Sequence, residues 1–191
     1  MPYRYKIYEP GYYHVYNRGN DKKEIFHSPQ DYVYFIKSMG FYKQKYNIDI
    51  ICYCLMPNHF HLFVRLNKKS EFVKFIKLLQ MVYAQHLQEQ YNCIGHVFQG
   101  RYKAKIVEGF EYALYLSAYI HNNPKVACLI DDLRDWRWSS YPDYLGVRNG
   151  KIPNKSIILN EFILPKDYFN WVKRLSDDKI EEKLQNLTID Y

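Results

Sequence analysis

Two histidines, His59 and His61, lie one residue apart in the apolar stretch MPNHFHLFVRL, Met56 to Leu66. In a β-strand alternate side chains point to the same face, so the two residues would lie roughly 6 to 7 Å apart along the backbone. Neutral imidazole is a common metal ligand, and two imidazoles on one face can reach one ion. The spacing indicates a metal site, although two structural histidines would give the same pattern.

A later stretch, EYALYLSAYIHNNP, supplies candidates for a nucleophile and a third ligand. Its tyrosines Tyr112, Tyr115 and Tyr119 share one face of a predicted helix, and Asn123 lies one turn beyond Tyr119. A phenol and an amide oxygen at positions i and i+4 can bring a nucleophile and a metal ligand to one point. The alternative is an aromatic stripe that packs on a sheet.

Composition favours a globular protein with an anionic partner. The 191 residues are 48% hydrophobic and 25% charged, which predicts one domain with a sizeable core and room for an appended segment. The net charge of +7 favours nucleic acid, although many basic proteins bind none. The 21 tyrosines suit stacking on unpaired bases, but core packing explains most of them.

Cysteine usage and hydropathy predict a reduced, cytoplasmic protein with no membrane partner. The four cysteines (Cys52, Cys54, Cys93 and Cys128) form no C-x-x-C pair. Cys52 and Cys54 alternate in an apolar run, which favours buried strand positions over a zinc site. No apolar run approaches the ~20 residues of a membrane span, and MPYRYKIYEPGYY lacks the apolar core of a signal peptide.

Hydrophobic periodicity predicts the elements that position the candidate residues. The predicted strands are Tyr12–Gly19, Ile48–Met56 and His59–Leu66, followed by a strand or hairpin region from about His96 to Val107. The predicted helices are Asp31–Tyr46, about Ser70 to Gln90, and Phe110–Asn122, which Pro124 terminates. Pro57 and Asn58 form the turn that joins the second and third strands into an antiparallel hairpin.

The predicted order, β-α-β-β-α-β followed by α, is typical of the ferredoxin-like split arrangement. This is an α+β fold whose sheet is antiparallel and packs its helices on one face. We predict a main domain over residues 1–125 and a C-terminal appendage over residues 126–191. Within the appendage, Asp135–Gly146 is predicted to form an ordered aromatic loop and Glu161–Leu187 short helices with charged faces.

These motifs resemble those of the HUH single-tyrosine transposases of small insertion sequences. The phrases HVYNRGN, MPNHFHL, FQGRYKA, YIHNNP and WRWSSY are most similar to those of the REP-associated tyrosine transposases. The resemblance spans about residues 11–146, and its motifs come in the expected order. It implies metal-dependent cleavage and rejoining of single-stranded DNA near a REP-like hairpin, through a 5′-phosphotyrosine intermediate, by a monomer or a homodimer.

The resemblance also implies residue roles. His59, His61 and Asn123 would hold a divalent ion, Mg²⁺ or Mn²⁺, although zinc also accepts imidazole ligands. Tyr119 would be the nucleophile. Tyr115 is the runner-up, because its own i+4 position is a tyrosine, a poor ligand for a hard cation.

Cationic and aromatic side chains are the expected DNA contacts. The candidates are His14, Arg18, Lys22, Lys23, Arg101, Lys103, Lys105, Trp136, Arg137 and Trp138. Alternation would put Arg101, Lys103 and Lys105 on one face of a strand, where they would bind phosphates or simply be solvated. The two tryptophans would stack on unpaired bases or fix the appendage to the core. His14 would line the site, contact DNA or be structural.

Two other functions fit the same residues. One is a nucleic-acid-binding module of the same fold without catalysis, which leaves the paired histidines unexplained and lacks an RNP-type motif. The other is a metal-dependent phosphodiesterase that uses water, in which Tyr119 only packs. Formation of a covalent adduct distinguishes the tyrosine enzyme from both.

Overall fold

The computed structural model describes residues 9–92, 94–175, 183 and 184; Cys93 lies outside this set. Its main elements are β1 (Gly11–Arg18), α1 (Pro29–Lys45), β2 (Asp49–Met56), β3 (His59–Leu66), α2 (Lys69–Tyr91), β4 (Lys103–Ile106) and α3 (Phe110–Val126). A short 3₁₀ helix, Asn20–Lys22, follows β1. The sheet order is β2-β3-β1-β4 and all neighbours are antiparallel, which confirms the predicted α+β, ferredoxin-like fold.

Local sequence explains where these elements begin. Ser28 and Asp31 form a capping box at the start of α1, and Pro29 occupies the first turn, where its missing N–H is not needed. Alternation along β3 sends Phe60 and Leu62 to one face and the histidines to the other. A register shift between Ile50 and Cys52 lets the chain turn consecutive residues toward the same face of β2.

Helices cover both faces of the sheet. The two helices of the β-α-β-β-α-β unit, α1 and α2, pack on the face that carries Val15 and Leu62, as predicted. The additional helix, α3, crosses the opposite face and packs against β2 and β3, where Cys52 and Cys54 are buried as expected. The side chains of β3 that face α3 are therefore enclosed between sheet and helix.

Two predicted boundaries are wrong. The last long helix continues through Pro124 to Val126, because a proline near the end of a helix removes a single N–H while later turns still form; the N–H of Ala127 donates to the carbonyl of Asn123 at 3.0 Å. The fourth strand is confined to Lys103–Ile106, since Gly100 turns the preceding chain with φ +70°.

The C-terminal segment covers the outer edge of β2. It contains a 3₁₀ turn and three short helices: Leu133–Asp135, α4 (Tyr141–Tyr144), α5 (Ser156–Leu159) and α6 (Pro165–Arg174). The N–H of Leu55 donates to the carbonyl of Trp138 at 3.0 Å, and the N–H of Ser140 donates to that of Tyr53 at 2.9 Å. The edge strand is thus paired rather than exposed. Most of 176–187, part of the predicted charged helices, lies outside the described residues.

No helix of the described ranges is long and apolar enough to cross a membrane.

Candidate active site

His59 and His61 lie side by side on the face of β3 that α3 covers. Their ring centroids are 4.9 Å apart, and the side chains are 5% and 0% exposed. The shared face follows from the strand period, as the spacing predicts. The two histidines are buried because α3 packs over this part of the sheet.

Burial keeps both imidazoles neutral. It lowers the pKa of His59 to about 4; the nearby Asn123 side chain raises that pKa, and the cation of Arg18 lowers it. Burial also lowers the pKa of His61 well below its usual value, and neighbouring His59 and His14 add to the effect. A neutral imidazole keeps a lone pair on one nitrogen, which is the form that binds metals.

Each histidine has a partner behind its Nδ1. Nδ1 of His59 lies 2.6 Å from Oδ1 of Asn58, and Nδ1 of His61 lies 2.9 Å from Nε2 of His14. Within the described residues, Nε2 of His61 is buried and makes no hydrogen bond. His14 is itself fully buried, so it lines the site from behind His61 and does not lie on a DNA-accessible surface.

Helix α3 brings Tyr119 and Asn123 to these histidines. The Tyr119 ring meets that of His61 edge-on, with centroids 5.5 Å apart, and that of His14 at 6.0 Å. Asn123 donates from Nδ2 to the carbonyl of Tyr119 at 2.8 Å, and its amide lies close enough to raise the pKa of both β3 histidines. The i, i+4 pair and the H-x-H pair therefore meet at one place.

Tyr115 points elsewhere. Its ring packs edge-on against Trp171 of α6, with centroids 5.6 Å apart, and Lys183 lies over it at 5.9 Å. Tyr119 is the tyrosine of this helix face that stands beside the histidines.

The residues present fit a divalent metal ion. Two neutral imidazoles and an amide oxygen form a three-ligand set that leaves positions open for water and phosphate oxygens, and the buried Nε2 of His61 is a donor atom of that set. No group of three His, Cys, Asp or Glu side chains in the described ranges is arranged to hold a metal. A metal held by His59 and His61 would take a third protein ligand of another kind, for which the nearby amide of Asn123 is the candidate.

Two lysines border the site on the same face of the sheet. Lys103 and Lys105 of β4 place their Nζ atoms 5.8 Å and 5.9 Å from the centre of the Tyr16 ring, which is 6.1 Å from the His61 ring. Arg18 pairs in register with His59 and donates to Gln99. These three cations approach the histidines from the β1–β4 side.

The other cations that were predicted to contact DNA do not lie beside the paired histidines on the sheet face. Arg101 is exposed but precedes β4, so alternation places only the two lysines on the site face. Lys22 and Lys23 are exposed in the turn after β1. The carbonyl of Lys22 accepts a hydrogen bond from Nδ2 of Asn58 at 3.1 Å.

The aromatic loop joins the C-terminal segment to the core. Nε1 of Trp136 donates to the carbonyl of Leu55 at 3.0 Å, and Trp138 stacks on Tyr32 of α1 with ring centroids 4.4 Å apart. Arg137 is exposed and lies 4.6 Å above the Trp138 ring. Both tryptophans thus fix the loop to the core, which is one of the two roles predicted for them.

Sequence reasoning missed Asn58, which contacts the first histidine directly. The sequence predicts only that Asn58 is a turn residue, and a turn sequence does not reveal which side chain such a residue will contact. His121, on the same helix as Tyr119 and Asn123, uses both ring nitrogens inside the protein, in hydrogen bonds with Tyr168 and Ser140.

Comparisons with known proteins bear on the family and the fold of the chain. Residues 8–123, more than half of the chain, match the family model described as "Transposase IS200 like". The fold is similar to that of a REP-associated tyrosine transposase bound to a REP hairpin, with 14% identity, a TM-score of 0.66 and coverage of 76% of this chain and 86% of that one. A proposed transposase from Deinococcus radiodurans R1 matches with 15% identity, a TM-score of 0.44 and coverage of 64% and 96%. No curated protein matches the chain.

Proposed function

The chain belongs to the family of IS200-like transposases, and we propose that it cleaves and rejoins single-stranded DNA beside a hairpin through a phosphotyrosine intermediate. Tyr119 is the proposed nucleophile. One observation carries the proposal: a tyrosine on α3 stands edge-on to His61, one of two buried histidines on β3, and an amide lies one helical turn from that tyrosine.

In the proposed reaction the Tyr119 phenol attacks a backbone phosphorus. A bond forms between its Oη and phosphorus as the phenol loses its proton, the bond from phosphorus to the 3′ oxygen breaks, and that oxygen takes up a proton and leaves as a 3′-OH. The DNA 5′ end remains on the tyrosine as a phosphodiester of similar energy, so the same step can run backwards with a different 3′-OH. Strand joining then needs no external energy source.

His59, His61 and Asn123 would hold the divalent ion, Mg²⁺ or Mn²⁺. When bound, the ion polarises the scissile phosphate and offsets the charge that develops during attack. The chain supplies the rest: neutral imidazoles that bind metals without first losing a proton, and an α3 that fixes nucleophile and ligand one turn apart.

The DNA strand would approach along the β1–β4 side. Lys103, Lys105 and Arg18 offer phosphate contacts there, and neutralising phosphates with such side chains supplies most of the affinity for a nucleic acid backbone. A hairpin as the target is supported by the similar fold of the REP-associated transposase that was solved with a REP hairpin.

Covalent trapping tests the proposal. A single strand carrying a hairpin from the DNA beside the gene is labelled at its 3′ end, incubated with protein and Mg²⁺ or Mn²⁺, and resolved on a denaturing gel. Wild type should give a labelled protein band, and Tyr119→Phe should give none. Tyr115→Phe is the matched control, because it removes a hydroxyl from the same helix, and it should retain the band.

Free cleaved DNA without a labelled protein band in wild type would contradict the tyrosine mechanism and favour hydrolysis by water. A band that persists in Tyr119→Phe and disappears in Tyr115→Phe would move the nucleophile one turn along α3.

A further inference from the structure

Asn58 makes two hydrogen bonds that determine which way its amide points. It occupies the turn between β2 and β3, directly before His59. Its Nδ2 lies 3.1 Å from the carbonyl oxygen of Lys22, an atom that can only accept. The amide nitrogen must therefore face Lys22, and Oδ1, 2.6 Å from Nδ1 of His59, must face the histidine.

We infer that Asn58 is a positioning residue that holds His59 in its Nδ1–H tautomer. The amide oxygen is only an acceptor, so the hydrogen of the neutral ring must lie on Nδ1 for a bond of this length to form. The lone pair is then on Nε2, the nitrogen that the proposed metal site uses. This inference rests on the proposed function for its purpose, but the tautomer is a property of the metal-free protein.

The two histidines differ in this respect. The partner of His61 is His14, a second imidazole, and either ring of such a pair can be the donor. The amide of Asn58 leaves no such choice, because Lys22 already fixes its orientation. A neutral imidazole in water favours the Nε2–H form, which would block the ligand nitrogen. Asn58 thus supplies a preference that the ring itself lacks, and such partners orient metal ligands in many sites.

The test reads the tautomer directly, without metal or DNA. Histidine ring ¹⁵N shifts, recorded by NMR on the metal-free full chain, distinguish Nδ1–H from Nε2–H. Wild-type His59 should be in the Nδ1–H form, Asn58→Ala should lose that form, and Asn58→Asp, which retains an acceptor oxygen, should keep it. Asn20→Ala is the control, because it removes a half-buried side-chain amide from the adjacent turn, and it should leave the His59 signals unchanged.

Manganese binding provides the second measurement, with free Mn²⁺ counted by electron paramagnetic resonance. Asn58→Ala should weaken Mn²⁺ affinity by about 10- to 100-fold, and Asn58→Asp should restore it. An unchanged Nδ1–H signal in Asn58→Ala would overturn the inference, as would an Nε2–H signal in folded Asn58→Asp. A tautomer change in Asn58→Ala together with no Mn²⁺ binding by wild type would support the role of Asn58 and count against the proposed metal site.

Discussion

Helix α3 buries histidines on both of its sides, and the two sides are built differently. Toward the C-terminal segment, His121 uses both ring nitrogens: Nδ1 lies 2.8 Å from the Tyr168 hydroxyl and Nε2 2.8 Å from the Ser140 hydroxyl. Toward the sheet, His61 uses Nδ1 on His14, whereas Nε2 makes no hydrogen bond in the described structure. The two rings are equally buried.

This difference separates a structural histidine from a candidate ligand. A buried polar atom without a partner costs stability, so a fold keeps one only where something else is gained. His121 binds the C-terminal segment to α3 and has nothing left for a ligand. His61 leaves its Nε2 available, and the neighbouring His59 and Asn123 also carry metal-binding groups. Burial alone would not have distinguished His61 from His121.

The largest expected effect comes from exchanging the two histidines for alanine. His61→Ala should lower metal-dependent cleavage by more than about 100-fold, because a direct ligand matters at least as much as a residue that orients one. His121→Ala should retain cleavage at low temperature and lose about 2–4 kcal/mol of unfolding free energy, since it opens a cavity and removes two buried hydrogen bonds. Cleavage assays and urea denaturation of both variants measure this. Equal loss of cleavage in the two, with His121→Ala still folded, would remove the distinction.

The stabilisation of the protein by a metal ion should depend on the histidines on the sheet side of α3 and not on His121 on its other side. At 100 times its dissociation constant, Mn²⁺ should add about 2.7 kcal/mol to the stability of wild type, because it binds the folded state. His121→Ala should show the same increment and His59→Ala none. Thermal unfolding with and without Mn²⁺ measures the increments. An undiminished increment in His59→Ala would place the ion elsewhere.

The smallest expected effect is on DNA binding, and it compares the lysines beside the paired histidines with those on the His121 side of α3. Lys103→Ala and Lys105→Ala together should weaken binding of single-stranded DNA and reduce the slope of its salt dependence by about 1 per lysine. Unfolding free energy should change by no more than about 0.5 kcal/mol. Lys166→Ala with Lys173→Ala, two exposed cations of α6 on the His121 side, is the control and should bind as wild type does. Fluorescence anisotropy over a salt series measures the slopes, and equal slopes for the two double variants would argue against the β1–β4 path.

The parts of this site that sequence predicts are those set by local periodicity. His59 and His61 share a face because strands alternate, and Tyr119 and Asn123 share one because helices repeat every three or four residues. Burial on the sheet face opposite α1 and α2 was not predicted, since the rule for this fold places helices on one face and says nothing of an added helix.

The remaining parts depend on contacts between distant residues. Tyr168 binds His121 from 47 residues away, and the amide of Asn58 meets Lys22 from 36 residues away. Neither pairing leaves a pattern in the chain. Trp136 is a second example. Its indole ring is suited to stacking on a DNA base, and only the structure reveals that its N–H donates to the carbonyl of Leu55 inside the protein.

The pairing of the C-terminal segment with β2 has a consequence for hydrogen exchange. The amide of Ser140 belongs to a stretch that reads as a loop, yet it donates to Tyr53 of β2, the edge strand of the sheet, and the amide of Asn154 donates to Ile50 of the same strand at 2.7 Å. Such amides exchange with solvent only when the segment separates from β2 or the strand itself opens. Slow exchange should therefore extend from the sheet into this loop, so that its amides are protected in the same way as those of a paired strand.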